Sequence, residues 1–297
     1  MPITTEFEYM RPKDMDAALH AFSLYGEKAK ALAGGTDLLV HLKENLSLPE
    51  MVVDIKALDE LGGMALKGDA LRIGALVTFS DLIDSLLIKR KFPLLWEAAL
   101  TVASVGVRNR ATLAGNICSA VPSADSVPAL ALYDAVVLTL SLKGGRRVLI
   151  SEWFTGPRKT ALRPEEIVTA LELKLPEKKH AGCYMKLSRY EGEDLAQGGI
   201  AALAFSDNTY RVAACALGPK PARCPKTEAA LNGNKLSEKL ILKAKGIILE
   251  EVSPIADIRS SREYRLHMTQ IMLGRALEIA VARLSGKGPK YGTENSC

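Results

Sequence analysis

Ala111-Thr112-Leu113-Ala114-Gly115-Asn116-Ile117, taken together with the earlier stretch Leu32-Ala33-Gly34-Gly35-Thr36-Asp37-Leu38, decides how this chain is read. In each, small residues leave backbone N–H groups open to a phosphate because no bulky side chain blocks the approach, and each adds a hydroxyl or amide that can donate a further hydrogen bond. Two such segments, far apart in sequence, can clamp one long cofactor. Either alone is ambiguous. A Gly-Gly pair between an apolar strand at 29–33 and a short helix at 37–43 serves equally well as a plain turn that needs φ > 0. Neither segment carries the three spaced glycines of the dinucleotide fingerprint or the Gly-Lys-Ser/Thr ending of a phosphate loop, which disfavours an ordinary Rossmann or ATPase reading.

The surroundings of both segments narrow the choice. The first continues as Thr36-Asp37-Leu38-Leu39; the second is preceded by Val107-Arg108-Asn109-Arg110 and followed by Pro122-Ser123-Ala124-Asp125-Ser126-Val127-Pro128-Ala129-Leu130. Further motifs are Ile73-Gly74-Ala75-Leu76-Val77-Thr78-Phe79-Ser80-Asp81-Leu82 and Tyr184-Met185-Lys186-Leu187-Ser188-Arg189, running on to Asp194-Leu195-Ala196. Leu217-Gly218-Pro219-Lys220-Pro221-Ala222-Arg223 and Ser260-Ser261-Arg262-Glu263-Tyr264-Arg265 follow. In this order the set resembles the FAD-binding subunit of the molybdenum hydroxylases, the group that includes xanthine, nicotinate and carbon monoxide dehydrogenases. The resemblance covers nearly the whole chain.

That resemblance implies an α+β protein: a two-lobed FAD-binding domain of the para-cresol methylhydroxylase/vanillyl-alcohol oxidase type, with lobes at 1–55 and 56–176. A C-terminal domain at 177–297, with a small antiparallel sheet and helices, would resemble that of the carbon monoxide dehydrogenase flavoprotein. FAD is the implied cofactor. Leu32, Ala33, Gly34, Gly35, Thr36, Asp37 and Leu38 would hold its pyrophosphate, with the amides of Gly34, Gly35 and Thr36 as donors. Thr112, Leu113, Ala114, Gly115 and Asn116 would form a second pyrophosphate and ribityl loop, and Asp125 would bond a cofactor hydroxyl. Ala103 and Val168 match apolar positions flanking the cofactor, and both also suit plain core.

Lys186 matches a lysine near the isoalloxazine, where a cation favours the anionic reduced flavin; Tyr190, Glu193 and Asp194 lie on a loop that resembles the one controlling access. On an alternating strand, a lysine by itself reads as a solvated face. The chain departs from the family at Ala114, where glycine is usual; if that position needs φ > 0, alanine costs on the order of 1 kcal/mol. No catalytic residue and no metal ligand is implied. Molybdopterin would sit on a large partner subunit that oxidises the substrate, and two [2Fe-2S] clusters on a small partner subunit that relays electrons to this FAD and on to NAD⁺ or another acceptor. The alternatives are a self-contained FAD oxidoreductase of the same wider fold and a flavin-free assembly subunit.

Composition agrees with a folded chain of more than one domain: 297 residues, 48% of them hydrophobic. The basic residues, 39 against 34 acidic, are dispersed, and aromatics are only 5%, which argues against nucleic acid as a partner. The apolar stretch 268–284 is interrupted by Arg275, Glu278 and Arg283 and reads as an amphipathic helix, not a membrane span. Residues 1–9 lack the basic-then-apolar pattern of a secretory signal, so the expected location is cytoplasmic, without direct membrane insertion. Five cysteines without a Cys-x-x-Cys pair and four histidines without ligand spacing give no disulfide framework, zinc site or iron–sulfur site.

Periodicity and turn residues place helices at 15–25, 79–85, 94–101, 226–232, 237–251 and 264–285. Strands fall at 51–54, 70–73, 136–142, 147–150, 167–175, 182–188, 199–206 and 210–217. Lys143-Gly144-Gly145-Arg146 reads as a turn, and 286–297 as a frayed tail.

Overall fold

The computed structural model describes residues 3–190 and 193–293. Its first layer is a three-stranded parallel sheet, with Met51–Asp54 between Glu8–Met10 and Ala29–Leu32. The central strand is buried along its whole length, as a parallel strand covered on both faces must be, and this is why it reads Met-Val-Val-Asp without alternation. Its one carboxylate, Asp54, accepts from the Tyr9 hydroxyl at 2.5 Å and pairs with Lys56 at 2.7 Å. Helix Met15–Tyr25 starts where Asp14 accepts from the Ala17 amide at 2.8 Å and stops at Gly26, φ 52°; it buries Ala18, Leu19, Ala21 and Phe22.

A five-stranded antiparallel sheet follows, in the order Met64–Lys67, Ala70–Gly74, Ile167–Lys174, Val136–Ser141, Gly144–Leu149. The edge strand Met64–Lys67, exposed over most of its length, has too little burial to produce a pattern and is not foreseen. Gly144 and Gly145 belong to a strand: Ser141 pairs with Gly144, so the hairpin turn is only Leu142-Lys143. Helix Phe79–Asp84 begins at a reciprocal cap in which Thr78 and Asp81 satisfy each other's backbone amides.

The third sheet, four-stranded and antiparallel, runs His180–Leu187, Gly198–Phe205, Tyr210–Cys215, Ala222–Arg223. Both of its faces are covered. Tyr184, Ala201, Leu203, Ala213 and Cys215 belong to the large core shared with the middle lobe. The alternate residues Cys183, Met185, Ile200, Ala202, Val212 and Ala214 belong to a second core under the C-terminal helix Arg262–Leu284. The period of two thus sorts one run of residues between two cores, and Gly198–Phe205 is buried at every position.

His180–Leu187 is an edge strand whose open backbone groups are met by side chains. The Tyr291 hydroxyl accepts from the Gly182 amide at 3.0 Å, Arg283 donates to the Gly182 carbonyl at 2.8 Å, and Glu97 accepts from the Tyr184 amide at 2.9 Å. Arg283 and Glu97 are themselves paired at 2.8 Å, with side chains 3% and 0% exposed. Glu97 also accepts from the Gly292 amide at 3.0 Å, and Arg283 lies over the Tyr291 ring at 4.0 Å. The segment 286–293 is therefore fastened down, which corrects the frayed tail; a Gly/Lys-rich composition does not show that one arginine on the preceding helix has a buried carboxylate to meet. Cys297 and the rest of 294–297 lie outside the described residues.

A second polar latch lies at the start of the same helix. Arg265, 2% exposed, donates to the Gln197 carbonyl at 3.1 Å, to Ser260 Oγ at 2.8 Å and to Asp257 at 2.7 Å. Arg259, which also bonds Asp257, and then Arg265 hold the Asp257 carboxyl well below the usual carboxylate range. No helix among the described residues is long and apolar enough to cross a membrane.

Two expectations concern these latches. Arg283→Met leaves Glu97 buried without its partner and should cost about 3–5 kcal/mol in denaturant unfolding, with much of the loss recovered when Glu97→Gln is added. A carboxyl whose folded pKa is depressed contributes stability above its unfolded pKa and loses it as pH falls through the folded value. Asp257→Asn should therefore lower Tm at pH 7 and make Tm fall less steeply below about pH 4 than in the unaltered chain, as read by thermal unfolding across pH.

Candidate functional site

Strand Ala29–Leu32 delivers the segment 33–37 to the start of helix Leu38–Lys43. A β-carbon placed on Gly34 would stand 1.9 Å from the Arg110 carbonyl oxygen and 3.1 Å from Ala111 Cα. Glycine is needed here because the backbone of the second segment occupies the place of a side chain. Gly35 is needed for a different reason, its φ of 76°. The contact extends at the other end of the site, where Asp37 accepts from the hydroxyl of Ser119. The two segments singled out in the sequence are thus adjacent in space.

The second segment is not a loop. Thr112 is the N-cap of a helix, Leu113–Ser119, and its hydroxyl accepts from the Gly115 amide at 2.9 Å. Thr112 also bridges to Thr78, with Phe79 donating to the Ala111 carbonyl at 3.0 Å and Leu113 to the Val77 carbonyl at 3.1 Å. A seven-residue helix holding Gly115 and Asn116 gives little periodic signal, which explains the misreading. Ala114 lies inside this helix, buried and without positive φ, so the strain considered for alanine does not arise. The amides of Gly34, Gly35, Thr36 and Ala114 donate to no protein acceptor among the described residues. Each is an uncharged backbone donor of the kind that suits an anion.

Asn116 leads from this donor set to the next group, since its Oδ1 accepts from Ser126 Oγ at 2.7 Å beside Asp125. Lys186 donates to Asp125 Oδ2 at 3.0 Å and to the Thr101 carbonyl at 2.8 Å, and the Tyr184 hydroxyl donates to Asp125 Oδ1 at 2.6 Å. All three side chains are buried. Burial raises the Asp125 carboxyl above its ordinary range, with Lys186 and Tyr184 offsetting part of that rise, and burial together with the Asp125 charge pushes the Tyr184 hydroxyl well above its ordinary range. Lys186 is not on a solvated face, because the sheet that carries it is covered on both sides.

Ala103, at φ 42°, ends a turn whose Val102 and Ala103 carbonyls accept from Arg108 at 2.8 and 2.6 Å. Val168 sits in the main core at an irregularity of its strand, opposite Thr139, whose buried hydroxyl has no partner among the described residues. On the loop after Lys186, Asp194 is buried and accepts from the Arg189 amide at 2.8 Å, and Tyr190 is exposed. Glu193 is described, but residues 191–192 of that loop are outside the described set.

The structure therefore brings Gly34 against Arg110 and Ala111 and Asp37 against Ser119, on either side of 112–116, and joins Asp125 to Lys186, with Ala103 close by in the chain to Thr101; Val168 lies in the core. Tyr184 and Arg108 stand in quoted motifs but, like Thr101 and Ser119, are not among the site residues expected from sequence. Tyr184 carried a readable signal, its spacing of two from Lys186 on a strand, whereas a backbone carbonyl such as that of Thr101 carries none.

Comparison with known proteins gives a consistent picture. The family described as the FAD binding domain in molybdopterin dehydrogenase matches residues 5–177, and the CO dehydrogenase flavoprotein C-terminal domain matches residues 183–280. The xanthine dehydrogenase FAD-binding subunit of Escherichia coli O157:H7 is 36% identical over 266 residues, spanning 88% of this chain and 91% of that protein. The carbon monoxide dehydrogenase medium chain of Afipia carboxidovorans is 30% identical over 284 residues, spanning 95% and 99%. Among solved structures, a carbon monoxide dehydrogenase from Hydrogenophaga pseudoflava matches with a TM-score of 0.91 at 31% identity, over 95% of this chain and 99% of that one.

Gly34→Ala forces the Arg110 backbone away and should destabilise the chain by at least about 1–3 kcal/mol in denaturant unfolding. Gly106→Ala, where a β-carbon meets nothing within 4 Å, should show no such loss and is the control.

Proposed function

Because this chain belongs to the FAD-binding subunits of the molybdenum hydroxylase family, we propose that the joined segments hold the FAD pyrophosphate, with Gly34, Gly35, Thr36 and Ala114 donating from the backbone. The observation that carries this reading is the approach of Gly34 to Arg110. It brings the segment of the free Gly34, Gly35 and Thr36 amides against the backbone that leads into Ala114, whose amide is also free, and the reading needs no cation to complete the cradle. Leu32, Ala33, Asp37 and Leu38 shape the first wall, and Thr112, Leu113, Gly115 and Asn116 the second. Asp37 is turned to Ser119, and Thr112 is occupied as a cap, so their roles are to fix the walls.

Ala103, Asp125, Val168 and Lys186 complete the proposed contacts. Lys186 has three N–H donors, and Asp125 and Thr101 take two of them. One remains to bond a flavin heteroatom. The ammonium and carboxylate balance each other, so Lys186 acts here as a positioned donor more than as an isolated charge.

When bound, FAD supplies the ability to take electrons singly and release them in pairs. The chain's own tasks are then to bind the cofactor, exclude water from the Asp125–Lys186 group and present one edge to a donor. We assign the donor to a small [2Fe-2S] subunit, substrate oxidation to a large molybdopterin subunit, and the final acceptor to NAD⁺ or an equivalent. Names of relatives such as medium chain and FAD-binding subunit support a division of labour of this kind.

The purified chain or its complex should release FAD on denaturation, identified by chromatography; FMN, or no flavin after reconstitution, would overturn the assignment. Gly35→Val should abolish flavin retention in a chain that still folds, since a β-branched residue at φ 76° deforms the first wall. The isolated chain should oxidise no hydroxylase substrate until its partners are added, and robust turnover by it alone would establish a self-contained oxidoreductase.

A further inference from the structure

Tyr184 and Lys186 occupy alternate positions of strand His180–Leu187 and face the same way, and both close on the two oxygens of one buried carboxylate, Asp125. The neighbouring strand is shaped around this arrangement. Gly199 pairs across from Lys186, and a β-carbon there would lie 2.5 Å from the Tyr184 hydroxyl and 2.6 Å from Cys215 Sγ. Cys215 Sγ is 3.3 Å from the same hydroxyl. Burial pushes the Cys215 thiol up to about 12, so it stays protonated and can donate to the tyrosine oxygen, leaving the tyrosine hydrogen for the carboxylate. A phenylalanine would fill the same apolar space; the hydroxyl is what the missing side chain at Gly199 accommodates.

We propose that Tyr184 is a positioning residue for the flavin site: its hydroxyl keeps Asp125 ionised and aimed at Lys186, so that the pair meets the cofactor as a neutral donor and not as a bare cation. This rests on the FAD reading given above. The charge logic is short. Asp125 has two stabilising donors, and a buried carboxylate that loses one is more readily protonated. Protonation would leave Lys186 uncompensated, adding one positive charge beside the flavin and favouring its reduction. The groups that face Asp125 are Lys186 and Tyr184 on one strand and, through the Tyr184 hydroxyl, Cys215 on another. Glu97, which accepts from the Tyr184 amide, is already balanced by Arg283.

The test is the flavin midpoint potential of the FAD-loaded protein from pH 6 to 9, for the unaltered chain, Tyr184→Phe, Asp125→Asn and the double variant. Asp125→Asn should raise the potential at every pH, by an amount equal to about a tenfold larger reduction constant, roughly 30 mV for two electrons. Tyr184→Phe should show the same rise at the acid end and lose it toward alkaline pH, and the double variant should match Asp125→Asn alone. Tyr184→Phe potentials equal to those of the unaltered chain throughout, or shifts that add in the double variant, would overturn the proposal. Should either variant fail to fold, the unaltered protein still decides: its redox-difference infrared spectrum at pH 7 should lack a protonated-carboxyl band assignable by aspartate isotope labelling, and such a band would overturn the idea. Absence of flavin from the unaltered protein would instead overturn the FAD reading itself.

Discussion

The C-terminal sheet has no free face, and the rest of the molecule is arranged around that constraint. Strand Gly198–Phe205 gives alternate residues to two different cores, so the C-terminal part cannot be lifted from the middle lobe without exposing one of them. Any polar side chain on the inward face must then be satisfied inside the protein. Tyr184 and Lys186 are on that face, and Asp125 with the Thr101 carbonyl satisfies them. Desolvation also explains why these bonds matter: the same carboxylate in water would have no need of two protein donors.

The two segments that meet at the other end of the site obey a steric rule more than an electrostatic one. Gly34 lies against the Arg110 backbone, and the donors that result are peptide groups. Peptide N–H groups cannot be titrated away and barely change position when the chain's surroundings change charge. In the proposed site, a binding wall of this kind and a charge-balanced group around Lys186 would divide the work, the first fixing where a dinucleotide lies and the second setting the field at its far end.

Much of this was legible in the sequence. The two small-residue segments and the ordered motifs around them are readable from residue types and order, and the family resemblance that rests on them implies the α+β class. What could not be read has particular physical causes. Leu113–Ser119 is too short and too rich in weak helix formers to show a period, so its capping threonine passes for part of a loop. Lys186 alternates as a surface residue would, because alternation does not tell whether the second face of a sheet is wet. The need for Gly34 arises from a carbonyl far along the chain, and no local pattern carries it. Arg283 reads as the polar side of an amphipathic helix, yet its side chain is inside, matched to a carboxylate that the sequence shows only as one acid in an apolar helix.

That last pairing has a consequence for biosynthesis. Glu97 and Arg283 are separated by 186 residues, so a ribosome completes the acid long before the base exists. Until the arginine emerges, burying helix Pro93–Leu100 against the edge of the C-terminal sheet would strand a carboxylate without a counter-ion. Closing that seam is therefore favoured only once the final helix has been made. Vectorial synthesis thus gives the seam beside Tyr184 a reason to close late.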